Sequence, residues 1–326
     1  MMETQDETEL CFPELFNTSC RRPKHPHSDA VLIYIVMPLT ALVAAILNLL
    51  VIISISHFKQ LHTPTNLLLL SLAFSDFFVG IMMCFHILIS DGCWTLGDIM
   101  CALYSIFGFT TTSASVGTMV LISVDRYVAI CDPLHYCTKV TVKRVTICIC
   151  LCWFCSVIYN SLLMYNNLEQ LHRCISCVGE CAIVVDHSAG VADIILTFFF
   201  PVIVIIVLYM RVFVVAVSQA RAMRSHITSI TLSCTVSAKK SELKAARTLG
   251  VVIVVFLTCL CPYFIASLLD DNFIMSSVPI YNWLFYFNSC LNPVIYSFCY
   301  PWYRKSVKLI VTLKILESDS SRAKVL

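Results

Sequence analysis

"GVADIILTFFFP" (Gly190–Pro201) sets one aspartate in a run that is otherwise almost wholly apolar. The run continues to residue 217 and exceeds the roughly 20 residues a helix needs to cross the hydrocarbon layer of a bilayer. Six further apolar segments lie at 31–56, 66–89, 101–124, 145–164, 249–269 and 278–299. All are continuous rather than alternating, which excludes a β-barrel. Composition agrees: the 326 residues are 59% hydrophobic and 13% charged, against roughly a quarter charged in a soluble domain. A net charge of +2 gives no electrostatic case for a nucleic-acid partner.

An odd number of spans puts the termini on opposite sides. Lys59, Arg126, Lys139, Lys143, Arg144 and Arg211 share one side with the basic residues of 220–247 and of the tail, whereas the other side has only Arg21, Arg22, Lys24 and Arg173. The excess of positive charge marks the cytosol, so the N-terminus is expected outside. The opening 28 residues are polar and acidic and show no cleavable signal peptide. Asn17-Thr18-Ser19 is a glycosylation sequon on that outer side. The expected architecture is an all-α membrane protein: an extracellular arm over 1–30, a bundle of seven transmembrane helices over 31–300, and a cytoplasmic amphipathic helix and tail over 301–326. Val307, Leu309, Ile310, Leu313 and Leu316, interleaved with Lys and Arg, predict that Trp302 to Leu316 lies on inner-leaflet lipid.

There are 19 cysteines. Those within the spans, such as Cys148, Cys150, Cys152 and Cys155, read as small apolar packing residues. Cys11, Cys20, Cys93, Cys101, Cys174, Cys177 and Cys181 fall outside, where disulfides form. Cys101 and a cysteine of the 165–189 loop are placed to tie that loop over the bundle. The spacing of Cys174, Cys177 and Cys181, with His172 and His187 nearby, also resembles a zinc pattern, although extracellular cysteines usually pair with one another.

Polar groups at membrane depth need a reason. Asp76 sits mid-way along the second span; Asn48, Ser115, Asn288, Ser289 and Asn292 are the polar residues of its neighbours. A carboxylate among hydroxyls and amides suits a hydrated sodium ion, and the same groups equally serve as hydrogen bonds between helices. Asp125-Arg126-Tyr127 closes the third span, and Glu242 opens the sixth on the same side, so an arginine between two carboxylates is expected to latch the cytosolic face. Asn292-Pro293-x-x-Tyr296 interrupts the last span, and Pro201 and Pro262 interrupt the fifth and sixth; each proline removes a helix hydrogen bond and suits a hinge.

Asn48, Asp76, Cys101, Asp125-Arg126-Tyr127, Trp153, Pro201, Tyr209, Cys259-x-x-Pro262 and Asn292-Pro293-x-x-Tyr296 occur in order along the spans. Together they resemble the rhodopsin-like (class A) G protein-coupled receptors over the whole chain. "NSCLNPVIYSFCYPWY" (Asn288–Tyr303), "KKSELKAARTLG", "FNTSC" and Cys177-Val178-Gly179-Glu180-Cys181 resemble, more narrowly, the trace amine-associated receptors, as a divergent fish-type member. That resemblance implies disulfides Cys20–Cys177 and Cys101–Cys181, a plasma-membrane location, coupling through Arg126 and Tyr209 to a heterotrimeric G protein of the stimulatory kind that raises cyclic AMP, arrestin as a further partner, and a chemosensory role. It implies no cofactor beyond a sodium ion.

Two departures stand out. Aminergic receptors usually hold the ligand's ammonium with an aspartate eighteen residues before the arginine of the Asp-Arg-Tyr motif; here that residue is Gly108, flanked by Phe107 and Phe109. A tryptophan usual between Cys259 and Pro262 is replaced by Leu260. Asp193 lies eight residues before Pro201, about 12 Å up the helix, in a region where catecholamine receptors offer hydroxyls and where only Thr197 remains. The counter-ion is therefore expected on the fifth span, with an amine running across the pocket in the reverse direction. Phe109, Thr112, Tyr263, Phe264, Trp283 and Tyr286 are the expected pocket wall, the aromatics supplying cation–π contacts.

Rival readings are a class A receptor for a ligand that is not an amine, with Asp193 structural, and an ion-coupled transporter using Asp76 and Asp193. The internal repeats and paired broken helices usual in transporters are not visible. An intramembrane enzyme is disfavoured by the lack of a Ser–His pair, an HExxH motif or paired catalytic carboxylates at membrane depth.

Overall fold

The computed structural model describes residues 9–15, 18–174, 177–181, 187–226, 233–269, 279–317, 320–322 and 325, the side chains of 166–174, 216, 219–226, 233–249, 299 and 322 excepted. Its long helices are α1 (His27–His57), α2 (Pro64–Ser90), α3 (Gly97–Cys131), α4 (Val142–Cys174), α5 (His187–Ile194 continuing through Ile195–Phe199 and Phe200–His226), α6 (Ser233–Leu269) and α7 (Pro279–Cys299). The shorter α8 (Pro301–Val311) follows at once. Six of the seven long helices are apolar enough over 18 residues to cross a membrane by composition alone. The exception, α7, carries Asn282, Asn288, Ser289 and Asn292, and all four are buried. Its polar face turns inward, which is where a spanning helix must keep such groups.

α3 is the central post and touches α2, α4, α5 and α6, while α7 closes the other side against α1, α2 and α6. α4 and α5 lie at the rim, with Leu151, Phe154, Ile158, Phe200 and Ile203 exposed where lipid tails would meet them. Two helices contain π-helical turns, Leu32–Val36 in α1 and Ile195–Phe199 in α5. Each is followed two residues later by a proline, Pro38 or Pro201. Proline has no N–H to offer the carbonyl four residues back, and the preceding turn widens to the i→i+5 pattern. Threonine hydroxyls take up nearby carbonyls: Thr40 donates to Val36 O at 2.7 Å and Thr197 to Asp193 O at 2.8 Å.

The helices differ from the sequence expectation chiefly at their cytosolic ends. α5 runs on to His226 and α6 begins at Ser233, where a polar loop over about 220–241 was expected. The amphipathic stretch expected over Trp302–Leu316 is α-helical only to Val311, with a separate 3-10 turn at Lys314–Leu316. Leu313 takes a left-handed backbone conformation (φ 58°) and ends it. Trp302, Tyr303 and Ser306 are buried against the bundle, and Arg304 donates to Ser297 O at 2.8 Å and Phe298 O at 3.1 Å. A cation thereby caps the carbonyls at the end of α7.

Although α4 is largely open to lipid, polar ties fix it. Trp153 Nε1 donates to Ser71 Oγ of α2 at 3.1 Å, Ser71 shares a 3.1 Å hydrogen bond with Thr118 of α3, and Asn160 Nδ2 donates to Ser113 Oγ of α3 at 3.2 Å. Gly117 gives the close approach: a Cβ there would stand 2.4 Å from Cys152 Sγ. Gly117→Ala is expected to overpack the α3–α4 seam by about 1–3 kcal/mol and to lower the apparent Tm of detergent-solubilised protein. Adding Cys152→Ala restores it. An unchanged Tm in the single variant would show that the seam is looser than described.

Candidate functional site

The outer face is stapled. Disulfides join Cys20 to Cys177, Cys101 to Cys181 and Cys11 to Cys93. The arm also pairs with the loop before α5 through backbone bonds Cys20 N to Val178 O (2.9 Å) and Val178 N to Thr18 O (2.7 Å). Trp94 N donates to Gly179 O at 2.8 Å. Gly179 has φ 106° and a Cβ there would lie 3.1 Å from Phe12, so the turn suits glycine on both counts. With Cys177 and Cys181 oxidised, the zinc pattern has lost two of its three thiolates; Cys20, Cys177 and Glu180 come together, but two of the three are one disulfide. Asn17 and the side chain of Cys174 lie outside the described residues, as does Asp186. A cleft of about 390 Å³ remains between Phe12, Trp94, Asp98 and Glu180.

Below this cap Asp193 is half-buried on α5. Its Oδ1 accepts a hydrogen bond from the hydroxyl of Tyr159 on α4 at 2.8 Å. Among the described residues no cation approaches it. The π-helical turn beginning at Ile195 distorts the helix one step further on, and Thr197, whose hydroxyl is bonded to Asp193 O, sits within it. Deeper, Phe198 is fully buried and stacks on Phe264 of α6 at 4.0 Å. Tyr263 lies 4.9 Å from Phe285 of α7, and Phe264 6.2 Å from Phe285. Leu260 is buried in the same apolar core. The aromatic wall thus runs from α5 across α6 to α7.

The other expected wall residues also make contacts of their own within the bundle. Trp283 donates Nε1–H to Thr40 of α1 at 3.1 Å, so it braces α1 and α7. Tyr286 is buried and shares a 3.2 Å hydrogen bond with Tyr104 of α3, which is also 3.2 Å from His86 Nδ1 of α2. Thr112 bonds to the carbonyl of Gly108 at 2.9 Å, and Phe109 is half-buried beside it. A Cβ at Gly108 would meet nothing within 4 Å, so there is open space where an aspartate would otherwise project.

At the middle of the bundle Asp76 is buried. Ser289 donates to its Oδ1 at 3.0 Å and Asn292 to its Oδ2 at 2.7 Å. Asn48 Nδ2 donates to Ser289 O at 2.8 Å, joining α1 to α7. Ser115 is buried on α3. Asn48 Oδ1, Asn288 Oδ1 and Asn292 Oδ1 are buried without a hydrogen-bond partner. Orphaned carbonyl oxygens beside a carboxylate are the hard donors a small monovalent cation takes, so the residues fit sodium.

At the cytosolic end Arg126 pairs with Asp125, its Nε 2.9 Å from Oδ2. Asp125 also accepts from Thr65 of α2 at 2.9 Å and from Tyr136 at 2.8 Å. Tyr136 belongs to a short helix, Tyr136–Lys139. Burial first, and then the Asp125 charge, push its phenol up to about 12, which keeps it a donor across the physiological range. Neither Thr65 nor Tyr136 was expected in the latch, and the Glu242 side chain lies outside the described residues. Tyr127 is exposed, and Tyr209 and Tyr296 have buried hydroxyls without a partner. Tyr209 lies against Gly250 of α6. Pro293 falls inside α7, three residues before Tyr296. The loop is pinned by Asp132, which hydrogen bonds from Lys139 and His135 push down to about 2. With the pKa depressed, that contact is present above the ordinary carboxylate range and fails only as the pH falls toward about 2.

Tyr159 and the His86–Tyr104–Tyr286 chain, like Thr65 and Tyr136, are site features that the sequence reading missed. For Tyr159 the available signal was Tyr159-Asn160-Ser161, three consecutive polar residues in a largely apolar span.

Comparison with known proteins gives one consistent result. Residues 47–296 match the family model of the 7 transmembrane receptor (rhodopsin family). Trace amine-associated receptor 13c of Danio rerio is 39% identical over 97% of this chain and 96% of its own length. Trace amine-associated receptor 9 of Rattus norvegicus is 41% identical over 96% of both, and receptor 8b of Mus musculus 40% identical over 98% and 96%.

Non-reducing peptide mapping of the purified protein is expected to recover the linked pairs 11–93, 20–177 and 101–181. Recovery of a Cys11–Cys20 link would contradict the arrangement of the arm.

Proposed function

This chain belongs to the rhodopsin family of seven-transmembrane receptors and, within it, to the trace amine-associated receptors, and we propose that it detects small cationic amines with Asp193 as the counter-ion. It is a multi-pass plasma-membrane receptor, not an enzyme. The observation that carries the reading is Asp193 itself: a half-buried carboxylate at membrane depth whose partner is the uncharged hydroxyl of Tyr159. An ammonium ion is the partner that a carboxylate there lacks, and a charge-assisted hydrogen bond would stabilise both ions. The open space beside Gly108 and the wall of Phe198, Tyr263, Phe264 and Phe285 receive the remainder of the molecule, so the amine lies with its head toward α4 and α5 and its tail toward α3 and α7.

Binding favours one member of an existing equilibrium between closed and open inner faces. In the closed form Arg126 is held by Asp125, and Tyr209 and Tyr296 keep hydroxyls without partners. In the open form those groups gain partners and the cytosolic ends of α3, α5 and α6 meet a heterotrimeric G protein of the stimulatory kind, with cyclic AMP as the output, olfaction as the setting and arrestin as the later partner. Asp76, Ser115, Asn288 and Asn292 would hold a sodium ion, which would supply a positive charge beside Asp76.

A second reading is favoured by one observation. The Tyr159 hydrogen bond also satisfies Asp193 as a purely structural group, in a receptor whose ligand is not an amine. A cyclic AMP reporter in cells displaying the receptor separates the two. The panel is 2-phenylethylamine, isopentylamine, N,N-dimethylcyclohexylamine and 1,5-diaminopentane. At least one amine is expected to activate, and Asp193→Ala is expected to raise its EC50 about 30-fold or more, the 2 kcal/mol lower bound for truncating a buried charge pair. Activation that survives the substitution, at equal surface display, selects the second reading.

A further inference from the structure

We infer that Tyr159 is the positioning residue for the amine counter-ion: its hydroxyl fixes Asp193 Oδ1 against α4 and leaves Oδ2 as the oxygen that receives the ligand's N–H. The inference rests on the amine reading of Asp193 and adds a residue outside the pocket wall to it.

A carboxylate has about four lone-pair sites and rotates about its own side-chain bonds. On a helix rim open to lipid, an untethered aspartate would sample orientations that turn it away from the bundle. The 2.8 Å bond from Tyr159 removes that freedom. The tether is useful only if α4 itself stays in register, and the next residue along provides this. Asn160 is buried and bonds both to Ser113 of α3 at 3.2 Å and to Ser156 O at 2.8 Å, while Trp153 is tied to Ser71 of α2. Asn160 thus ties α4 to the central post α3, and its chain neighbour Tyr159 ties α4 to Asp193 on α5. On the α5 side, Thr197 engages the backbone carbonyl of Asp193, so both ends of that residue are held before any ligand arrives. Pre-organisation of this kind removes ordering cost from binding.

Tyr159→Phe is the decisive substitution because it keeps the ring and its packing and removes only the donor. With the four amines named above, potency is expected to fall about tenfold, as for loss of one hydrogen bond to a charged group, while surface display and maximal response hold. Tyr159→His, which returns a donor on a different frame, is expected to recover most of the potency, a rescue that a packing role would not produce. If Asp193→Ala abolishes activation but Tyr159→Phe leaves potency unchanged, the positioning role is wrong and the counter-ion reading stands. If Asp193→Ala has no effect, or no amine activates, the counter-ion reading fails and the positioning role fails with it. Should Tyr159→Phe not reach the surface, potency per displayed receptor of Tyr159→His decides: near wild type supports the role, and a tenfold or greater loss overturns it.

Discussion

A polar group in hydrocarbon has no water to turn to, and this bundle is arranged around that constraint. Asn48, Asp76, Asn160, Ser289 and Asn292 are all buried and all face other helices. Their bonds join α1 to α7, α2 to α7 and α3 to α4. Apolar contact alone gives little reason for one helix pairing over another when the surrounding lipid is equally apolar. The hydrogen bonds therefore choose neighbours, and the apolar faces fill in around them. α7 is the clearest case: its four buried polar residues make it the least lipid-like of the spans and fix it between α1 and α2.

The same constraint organises function into three levels. At the outer level Asp193 has the Tyr159 hydroxyl as its partner and no cation beside it among the described residues. At the middle level Asp76 is satisfied by Ser289 and Asn292, with orphaned amide oxygens beside it. At the inner level Arg126 is matched by Asp125, which Thr65 and Tyr136 also approach. The aromatic stack of Phe198, Phe264 and Phe285 gives the first level mechanical contact with α6 and α7. Leu260 stands in the same apolar core, so the rings packed between α5 and α6 in this chain are those of Phe198 and Phe264 rather than an indole.

The number, order and sidedness of the spans were legible because hydropathy and charge report directly on solvent. Helix ends in the cytosol were not, since α5 and α6 continue as polar helices beyond the bilayer and hydropathy does not register helicity there. Two disulfide pairings followed from resemblance; Cys11–Cys93 did not, because an inventory of cysteines does not fix connectivity. Asp193 was conspicuous as a lone charge, yet its partner was not, because Tyr159 is 34 residues away and meets it only once α4 and α5 pack. Likewise the arginine latch was visible in Asp125-Arg126, but Thr65 and Tyr136 become its neighbours only through the fold. Trp283 and Tyr286 are a similar case: their hydrogen bonds to Thr40 and Tyr104 reach across to other helices and have no signature in the sequence.

The central claim is that the positive charge of the ligand is held on the fifth helix rather than the third. A cryo-electron microscopy structure of the receptor bound to an activating amine and its G protein tests it most directly. The account predicts the ligand nitrogen about 3 Å from Asp193 Oδ2, with Tyr159 still on Oδ1 and the apolar end of the molecule beside Gly108. A nitrogen seated near Gly108 or among Tyr104, His86 and Tyr286, with Asp193 still bonded only to Tyr159, would contradict it.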